Sequence, residues 1–400
     1  MGKGTAITGM GIISAIGNNV AENYQALVEG KSGIGRISHV DTVHKNEIMV
    51  GEILFTNDEL EGQLGLNTDN NYPRTALLGA IAAKQAVADA NITDMRKYRT
   101  GLISATSVGG MDRTEKYYYE YLENDAHRKY IESHHAGDST QKIAEQLGIK
   151  QSLVTTISTA CSSAANAIMF GARLIKTGRL DRVIVGGADC LSKFTINGFK
   201  TLMILSDACN TPFDDNRKGL NLGEAAAFLV LESDTVVKEQ NKKVLAYLKG
   251  YGNANDAYHQ TASSENGDGA ALAMKKALQV ANLNPGYIDY INAHGTATEN
   301  NDLSEGRAIQ QVFGGTVPDF SSTKAFTGHT LAAAGAIEAV YSVLALQNHI
   351  IFPNLNFTTP MKEFDLVPVT RTKGKKLNRV LSNSLGFGGN CSTLIFSKEA

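Results

Sequence analysis

The sequence predicts an α/β fold in which helices cover a largely parallel sheet. Short β-branched runs alternate with longer helical patterns along most of the chain, an order typical of parallel sheets. Apolar residues form 42% of the 400 residues and charged residues 20%, so the chain can bury a sizeable core. Gly is frequent at 39 residues while Pro is scarce at 7, which favours tight strand-to-helix turns over flexible linkers.

The first half of the chain has one predicted strand near its start and several further on. Residues 1–20 are interpreted as a strand and a turn, with Gly9-Met10-Gly11 in the turn because the third Gly of a dinucleotide fingerprint is missing. Later strands are predicted at residues 101–105, 153–157 and 182–186, with a helix at 162–177. Residues 112–148 carry many charges and Tyr117, Tyr118, Tyr119 and Tyr121, and they are interpreted as a helical excursion whose tyrosines form a half-buried face or a subunit contact.

The second half repeats this order of elements. Strands are predicted at residues 244–248, 287–291, 320–322, 379–382 and 392–396, and helices at 301–312 and 331–347. Residues 164–168 (AANAI) are similar to residues 333–337 (AAGAI), and both segments begin a buried helix after a strand and a polar turn. We therefore expect two related halves, residues 1–240 and 241–400, with the excursion at about 112–148 in the first.

Charge and cysteine content limit the classes of function. The 38 basic and 40 acidic residues leave a net charge of −2, which offers no global footprint for nucleic acid or an anionic membrane. The longest uncharged stretch, residues 151–172, is rich in Ser, Thr and Asn and is interpreted as a strand and helix rather than a membrane span. The four cysteines lack zinc-ligand spacing and are too few for a disulfide framework. We expect a soluble cytoplasmic protein without a signal peptide.

Cys161 is the strongest candidate for a nucleophile. It follows a strand and a polar turn and opens an uncharged helix, where the helix dipole and free N–H groups favour the thiolate. The alternative is a buried structural cysteine, which is the commoner fate of this residue type.

Two histidines, one lysine and a Gly-rich loop are further candidates. His294 and His329 each follow a short predicted strand, where α/β folds place ligands, and Lys324 precedes His329 by five residues. Residues 386–389 (GFGG) can direct backbone N–H groups at a ligand. Each of these could instead be structural or solvent-exposed, and the loop is not a P-loop because no GK[ST] follows it.

In combination, four motifs resemble those of the elongating, type II β-ketoacyl-[acyl carrier protein] synthases. They are residues 159–163 (TACSS), 293–296 (AHGT), 324–329 (KAFTGH) and 383–389 (NSLGFGG), in the order of that family and spread over nearly the whole chain. The resemblance implies the thiolase fold, in which two βαβαβαββ halves stack as a five-layered α-β-α-β-α sandwich, usually in a homodimer. A heterodimer stays open.

The resemblance also implies a reaction and the roles of residues in it. Cys161 would hold an acyl chain, which condenses with decarboxylating malonyl-acyl carrier protein to give 3-oxoacyl-acyl carrier protein and CO2, without a cofactor. His294 and His329 would stabilise the enolate, and Lys324 would keep their surroundings polar. The backbone N–H groups of Cys161 and Phe387 would form an oxyanion hole, with Phe387 as a gate. Further residues implied at the site are Thr296, Thr298, Gly388 and Gly389 for substrate, and Asn292, Glu338, Ser382 and Asn383 for a structural cation. Arg36, Arg74 and Arg113 are candidates for a basic patch that meets an acidic carrier protein.

Departures from the family pattern suggest an unusual acyl chain. Leu385 stands where Phe is usual, Asn390-Cys391 where Thr-Asn is usual, and residues 134–148 differ from the usual insertion. We hypothesise a polyene or polyketide-like chain. The alternatives are a non-catalytic, chain-length-type subunit, which would lack the nucleophile, and a thiolase, for which Cys391 is the only candidate second cysteine.

Overall fold

The structure is a computed structural model that describes residues 4–150 and 152–400, so Gln151, at the start of the uncharged stretch, lies outside it. The strands are β1 (Thr5–Ser14), β2 (Ile34–Arg36), β3 (Met49–Gly51), β4 (Thr100–Ala105), β5 (Val154–Ile157), β6 (Arg182–Asp189), β7 (Leu222–Gly223), β8 (Ala225–Glu232), β9 (Ala246–Asn255), β10 (Tyr290–Asn292), β11 (Asp319–Ser321), β12 (Ile350–Ile351), β13 (Lys373–Gly374), β14 (Arg379–Gly386) and β15 (Asn390–Ser397). The helices are α1 (Val20–Glu29), α2 (Asn57–Leu64), α3 (Arg74–Asp89), α4 (Met111–Glu123), α5 (Arg128–Glu132), α6 (Ala136–Gln146), α7 (Ser163–Lys176), α8 (Lys193–Thr201), α9 (Asp234–Glu239), α10 (Asp268–Ala281), α11 (Glu299–Phe313), α12 (Lys324–Thr327) and α13 (Ala334–Asn348).

The main sheet is built from two halves with the same topology. Among the described residues it has ten strands, in the order β11-β10-β14-β15-β9-β1-β8-β6-β4-β5. Each half contributes five strands. From the outer edge to the centre of the sheet, they are the third, second, fourth, fifth and first of that half in chain order. The outer three strands run parallel to one another, and the remaining pairs are antiparallel. β1 and β9 pair antiparallel and join the halves. The topology thus shows a duplication, and the boundary between residues 240 and 241 stays a prediction.

The two halves of the sheet divide the described core into three buried clusters. The central cluster contains α7, α13 and one face of each half of the sheet. The opposite face of the first half packs on α3 and α6, and that of the second half packs on α10 and α11. Alternation along β6 shows the division, since Val183 and Val185 belong to the central cluster and Ile184 to the outer one. The layers are therefore α-β-α-β-α, as expected.

Glycines in the two central strands bring a helix close in each half. In β1, a Cβ at Gly11 would overlap the carbonyl oxygen of Ala82 in α3. In β9, a Cβ at Gly252 would overlap the carbonyl oxygen of Ala273 in α10. The interpretation of Gly9-Met10-Gly11 as a turn is therefore wrong, because these glycines lie inside a strand and allow a helix to approach its backbone.

Two further predictions about elements need correction. The strand expected at residues 287–291 begins only at Tyr290, because Pro285 starts a 3₁₀ turn, Pro285–Tyr287. The expected excursion at residues 112–148 is helical, but its last helix, α6, is the crossover between the parallel strands β4 and β5 and packs on α3. It is equivalent in topology to α11 in the second half and so belongs to the core.

One apolar helical stretch fits a membrane span by composition alone. Within the described part of the chain, Leu331–Asn348 is long and apolar enough, yet 89% of its apolar window is buried inside the protein. α13 is packed in the central layer between the two halves of the sheet. Its apolar composition is therefore explained by its place in the core.

Candidate active site

Cys161 lies on a sharp turn between β5 and α7. The preceding residue, Ala160, has a φ of +50°, a left-handed conformation that costs free energy for a residue with a Cβ. Ser163 holds this turn, because its Oγ accepts a hydrogen bond from Thr159 N at 2.7 Å and donates to Ala160 O at 2.5 Å. The turn brings the thiol to the wall of a pocket, and α7 itself begins two residues later.

The thiol of Cys161 is buried, with 6% of the residue exposed. Burial raises its pKa to about 12, and the charge of Lys324 and nearby backbone N–H groups lower it by less. The free N–H groups at this turn favour the thiolate, as expected, but desolvation of the charge outweighs them and favours the neutral thiol.

Two backbone N–H groups converge on the sulfur of Cys161. They belong to Cys161 itself and to Phe387, and both act to lower the pKa of the thiol. Phe387 follows β14, whose last residue, Gly386, lies so close to the turn that a Cβ there would be 3.1 Å from Cys161 N. The two donors therefore come from different halves of the chain and face one point.

His294 follows β10 in a turn held by a buried carboxylate. Glu305 in α11 accepts hydrogen bonds from the N–H groups of His294 and Gly295, each at 2.8 Å, and from Asn383 Nδ2 at 3.1 Å. Gly295 has a φ of +35°, which a side chain would disfavour. The turn thereby fixes the imidazole at the carboxyl end of the sheet.

Lys324 determines the tautomer of His294. Its ammonium donates to three buried acceptors, namely the carbonyl oxygen of His294 at 2.6 Å, Nδ1 of the same residue at 3.2 Å, and the carboxylate of Glu338. An ammonium has only donors, so Nδ1 must be the acceptor and Nε2 must carry the proton. Burial, followed by the charge of Lys324, holds the pKa of His294 well below its usual value. His294 is therefore a neutral imidazole that can donate through Nε2.

His329 completes a pair of rings. The centroids of His294 and His329 lie 5.2 Å apart, with the planes at 88°. The main chain of His329 is fixed to the first half, since its N–H donates to Asn221 O at 2.7 Å and its carbonyl accepts from Gly223 N at 3.0 Å. Burial, with a smaller effect of Lys324, lowers the pKa of His329 well below its usual value, so both rings are neutral. Nδ1 of His329 has no hydrogen-bond partner among the described residues.

These groups open onto one pocket of about 420 Å³. Its walls include Cys161, His294, His329 and Phe387, and also the predicted substrate residues Thr296, Thr298 and Gly389. Gly388 does not line it, because its N–H donates to Gln260 O and its carbonyl accepts from Asn255 Nδ2. Phe387 stacks on Phe199 with ring centroids 5.8 Å apart. Sequence reasoning missed Phe199, Met203, Lys218 and Thr261–Ser263, which also line the pocket, since no local pattern marks them.

The residues expected around a cation offer two unpaired oxygens. Oδ1 of Asn292 and Oε2 of Glu338 are buried without a hydrogen-bond partner among the described residues, and Ser382 pairs with Asn292 across neighbouring strands. Asn383 fits less well, since its side chain is already bonded to Glu305 and Thr393. Burial raises the pKa of Glu338 to about 7 even though Lys324 opposes the shift. This donor set suits a cation held by oxygen ligands.

Two arginines predicted for a basic patch are not free to bind a partner. Arg74 is buried in an ion pair with Glu224 at 2.7 Å. Arg113 is buried in an ion pair with Glu61 at 3.1 Å. The pocket mouth instead carries Lys218. Basic residues at the surface can be counted from sequence, but their pairing depends on long-range contacts.

The other thiols lie away from the reacting groups. All four cysteines are free thiols, and Cys161 is the one that lines the pocket described above. Cys391 is buried, contacts Gly389 O at 3.5 Å, and has a pKa that burial raises to about 12. Cys190 is buried and accepts a hydrogen bond from Thr75.

Comparisons with known sequences agree over nearly the whole chain. The family described as beta-ketoacyl synthase, N-terminal domain, matches residues 3–236, and the beta-ketoacyl synthase, C-terminal domain, matches residues 245–358. The chain is 32% identical to 3-oxoacyl-[acyl-carrier-protein] synthase 2 of Staphylococcus aureus strain N315, over 99% of this chain and 98% of the relative. It is 33% identical to the protein of the same name from Vibrio harveyi, over 98% of each chain.

Solved structures share the fold. The ishigamide ketosynthase/chain length factor superposes with a TM-score of 0.92 at 29% identity, over 100% of both chains. A ketosynthase in complex with its chain length factor from Xenorhabdus doucetiae gives a TM-score of 0.84 at 31% identity, over 99% of this chain and 98% of that one. A type II PKS ketosynthase, bound to a hexaketide and in complex with its acyl-carrier protein, gives 0.88 at 26% identity, over 100% of both chains.

Proposed function

The chain belongs to the β-ketoacyl synthase family, and from that premise we propose how its own residues catalyse the reaction. It is a 3-oxoacyl-[acyl-carrier-protein] synthase, an acyltransferase that elongates an acyl chain by decarboxylative condensation with malonyl-acyl carrier protein. The observation that carries the assignment of roles is the convergence of two N–H groups on the Cys161 sulfur, in one pocket with two neutral imidazoles.

The first step transfers the acyl chain to Cys161. Its sulfur attacks the carbonyl carbon of the carrier thioester, and the N–H groups of Cys161 and Phe387 donate hydrogen bonds to the oxyanion that forms. The carrier sulfur then leaves and takes up the proton that the thiol of Cys161 loses. Because the resting thiol has a raised pKa, the hydrogen bonds from these N–H groups are most needed when negative charge develops.

The second step forms the new carbon–carbon bond. The malonyl thioester loses CO2, and the electron pair of that bond passes into an enolate whose oxygen accepts a hydrogen bond from His294 Nε2 and a second from His329. The enolate carbon attacks the acyl carbonyl on Cys161, and the thiolate leaves, which yields 3-oxoacyl-carrier protein. The thiolate then takes up a proton from water, which restores the thiol. Neutral imidazoles suit this step because they stabilise the oxyanion without protonating it beforehand.

Phe387 has two roles in this scheme. Its N–H is an oxyanion donor, and its ring covers the pocket by stacking on Phe199. Because the N–H and the ring belong to the same residue of a Gly-rich loop, movement of the Phe387 ring also moves its N–H. Entry of the malonyl group and formation of the oxyanion hole are thereby coupled.

A structural cation would be held by Asn292, Glu338 and the strand at Ser382. It would supply positive charge next to Glu338, because only one carboxylate oxygen of Glu338 accepts a hydrogen bond from Lys324 and the other has no partner among the described residues. The chain's own contribution is to orient Lys324, which in turn holds Nδ1 of His294.

The acyl chain is a polyene or polyketide-like chain in this proposal. Support comes from the departures at Leu385 and Asn390-Cys391, and from similarity to an ishigamide ketosynthase and to a ketosynthase that binds a hexaketide. Acyl-carrier substrates of matched length, saturated or conjugated, test it by the rate at which each acylates Cys161. Equal rates for both series would contradict the proposal.

The partners are an acyl carrier protein and a second ketosynthase-like subunit. Relatives form complexes with a carrier protein and with a chain length factor, so both a homodimer and a heterodimer suit this chain. A cytoplasmic location is part of the proposal and agrees with four free cysteines.

Neither alternative is favoured by the site. A non-catalytic subunit would lack the nucleophile, whereas Cys161 is present beside two N–H donors. A thiolase would need a second thiol at the reacting atoms, whereas Cys391 is buried outside the lining of this pocket.

Intact-protein mass spectrometry tests the function directly. Incubation with acyl-carrier protein should add one acyl group to the wild-type chain and none to Cys161→Ala. Subsequent malonyl-carrier protein should remove the acyl group and release 3-oxoacyl-carrier protein and CO2. If the Cys161→Ala variant is acylated, or if it condenses at the wild-type rate, the assignment of the nucleophile is overturned.

A further inference from the structure

A network of amide and hydroxyl side chains connects the Cys161 turn to the Gly-rich loop. Two of its members, Thr159 and Ser162, flank Cys161, and a third, Asn390, ends the loop that contains Phe387. The remaining members extend the network into α7, β9 and β15, and they are Asn166, Asn253 and Ser392. None of these side chains has a role in the proposed reaction steps.

The carbonyl oxygen of the Asn390 side chain is the centre of the network. It accepts hydrogen bonds from Ser162 Oγ at 3.0 Å, from Asn166 Nδ2 at 3.2 Å and from Asn253 Nδ2 at 2.8 Å. Ser162 is completely buried, and its Oγ also donates to Thr159 O of its own turn at 2.8 Å, so loss of the Asn390 oxygen would remove its link to the Gly-rich loop. One oxygen thus joins residues from three separate segments of the chain.

A second amide fixes the network on the side of the turn. Asn166 Nδ2 donates to Thr159 Oγ1 at 2.9 Å, while its Oδ1 accepts from Ser392 Oγ at 2.8 Å and from Asn253 Nδ2 at 3.0 Å. Each amide oxygen therefore faces donors only, which defines the orientation of both amides. The result is a cross-linked set of contacts rather than a single bond.

The network lies where the oxyanion hole needs to be held. Its two N–H donors belong to Cys161 and Phe387, which are 226 residues apart in sequence and lie in different halves of the fold. Ser162 directly follows one donor and Asn390 follows the other by three residues. Flexible glycines occupy the interval after Phe387, so a fixed point at Asn390 limits how far that N–H can move.

The residue at position 390 is also a departure from the pattern that this chain resembles. Thr is usual there, and a threonine hydroxyl reaches less far from the main chain than an asparagine carbonyl. It also uses its single oxygen as both donor and acceptor. The three contacts made by Asn390 Oδ1 therefore belong to this chain's own residue.

We propose that Asn390 is a positioning residue that holds the Phe387 N–H at the distance from the Cys161 N–H required by the acyl oxyanion. The proposal rests on the proposed function, since it concerns the oxyanion hole of the acyl-transfer step. Asn390 does not touch the substrate. It acts through the geometry of two donors, and that geometry matters only when the oxyanion forms.

The test compares Asn390→Ala and Asn390→Thr with the wild-type chain in single-turnover acylation of Cys161 by acyl-carrier protein. Loss of the Asn390 Oδ1 acceptor should slow acylation at saturating acyl-carrier protein about 10- to 100-fold. This loss of rate is no larger than the one expected on removal of an oxyanion donor. The concentration of acyl-carrier protein at half-saturation should stay within about twofold, because ground-state binding does not use the hole. Asn390→Thr should fall between wild type and Asn390→Ala.

Asn348→Ala is the matched control. Asn348 Nδ2 donates to Leu344 O at 2.9 Å at the far end of α13, about 20 Å along the helix from the end that meets α7. This variant also loses an amide hydrogen bond, yet it should acylate at the wild-type rate. If Asn390→Ala does not fold, Ser162→Ala removes one donor of the same network and should show a smaller loss of the same kind.

The outcomes distinguish the positioning role of Asn390 from the proposed function. Failure of the wild-type chain to acylate would refute the proposed function. Wild-type acylation together with an unchanged rate in Asn390→Ala, or a loss seen only in half-saturation or thermal stability, would refute the positioning role alone.

Discussion

Lys324 contacts His294 twice, through the carbonyl oxygen at 2.6 Å and through Nδ1 at 3.2 Å. The first contact fixes the backbone of the histidine turn, and the second assigns the proton of the ring to Nε2. A third contact, to Glu338, balances the charge of the ammonium in a buried setting. One side chain thus links the orientation, the tautomer and the electrostatics of the condensing site.

Lys324→Met should therefore destabilise the protein and also impair decarboxylation. It leaves the carboxylate of Glu338 buried without its partner, which costs about 3–5 kcal/mol of unfolding free energy. The double variant Lys324→Met/Glu338→Leu should recover most of that stability in denaturant unfolding. It should not recover malonyl decarboxylation, expected to be at least about 100-fold slower, because Nδ1 still lacks its donor. Recovery of activity in the double variant would contradict the tautomer argument.

The stability of the protein should fall on acidification below about pH 6.5. Burial lowers the pKa of His294 and His329 in the folded state, so the unfolded chain binds protons there that the folded chain does not. Stability contributed by these two groups is complete above the unfolded pKa and is lost at about 1.4 kcal/mol per pH unit for each group as pH decreases. Denaturant unfolding of wild type and His329→Asn between pH 5 and 7 checks this. An equal pH slope in both proteins would exclude His329 as a contributor.

Alkylation of Cys161 should be slow at neutral pH and should increase steeply with pH. Because burial raises the pKa of Cys161 to about 12, the thiolate fraction grows about tenfold per pH unit up to pH 9.5, without a plateau. Iodoacetamide labelling followed by peptide mass spectrometry measures the rate, and Cys161→Ser reports labelling at the other three thiols. A plateau near pH 7 would show that the resting state is a thiolate.

Gly11→Ala and Gly252→Ala should destabilise the protein to similar extents. In each, the new Cβ overlaps a carbonyl oxygen of the helix packed on that strand, α3 or α10, and overpacking of this kind costs at least about 1–3 kcal/mol. Gly35→Ala is the control, since a Cβ there meets nothing within 4 Å. Denaturant unfolding compares the three variants. Tolerance of one substitution but not the other would show that the two halves pack differently.

Much of the site could be read from local sequence because each reacting residue follows a strand within a few positions. Cys161, His294 and the Lys324–His329 segment each lie in a short motif of small residues, and such motifs mark turns at the carboxyl end of a sheet. The duplication was visible in only five residues, AANAI and AAGAI, yet these lie at the start of α7 and α13, which have equivalent places in the two halves.

Other features depend on contacts between distant segments and were missed or misjudged. The interpretation of Gly9-Met10-Gly11 as a turn did not take account of a helix that approaches the strand backbone. Arg74 and Arg113 are candidates for a basic patch by sequence, but each pairs with a distant carboxylate in the fold. Phe199 lines the pocket and stacks on Phe387, which lies 188 residues later in the sequence.

The sequence by itself determined the family and the α/β class, and it predicted Cys161, His294 and His329 as the reacting residues. Only the tertiary structure decided the protonation of Cys161, the tautomer of His294 and the meeting of two N–H donors from separate halves. The physical reason is that turns and periodicity depend on neighbours in the chain, whereas desolvation and hydrogen bonding depend on everything that surrounds a group in space. At Cys161, burial raises the pKa of the thiol while Lys324 and nearby backbone N–H groups lower it, and burial prevails.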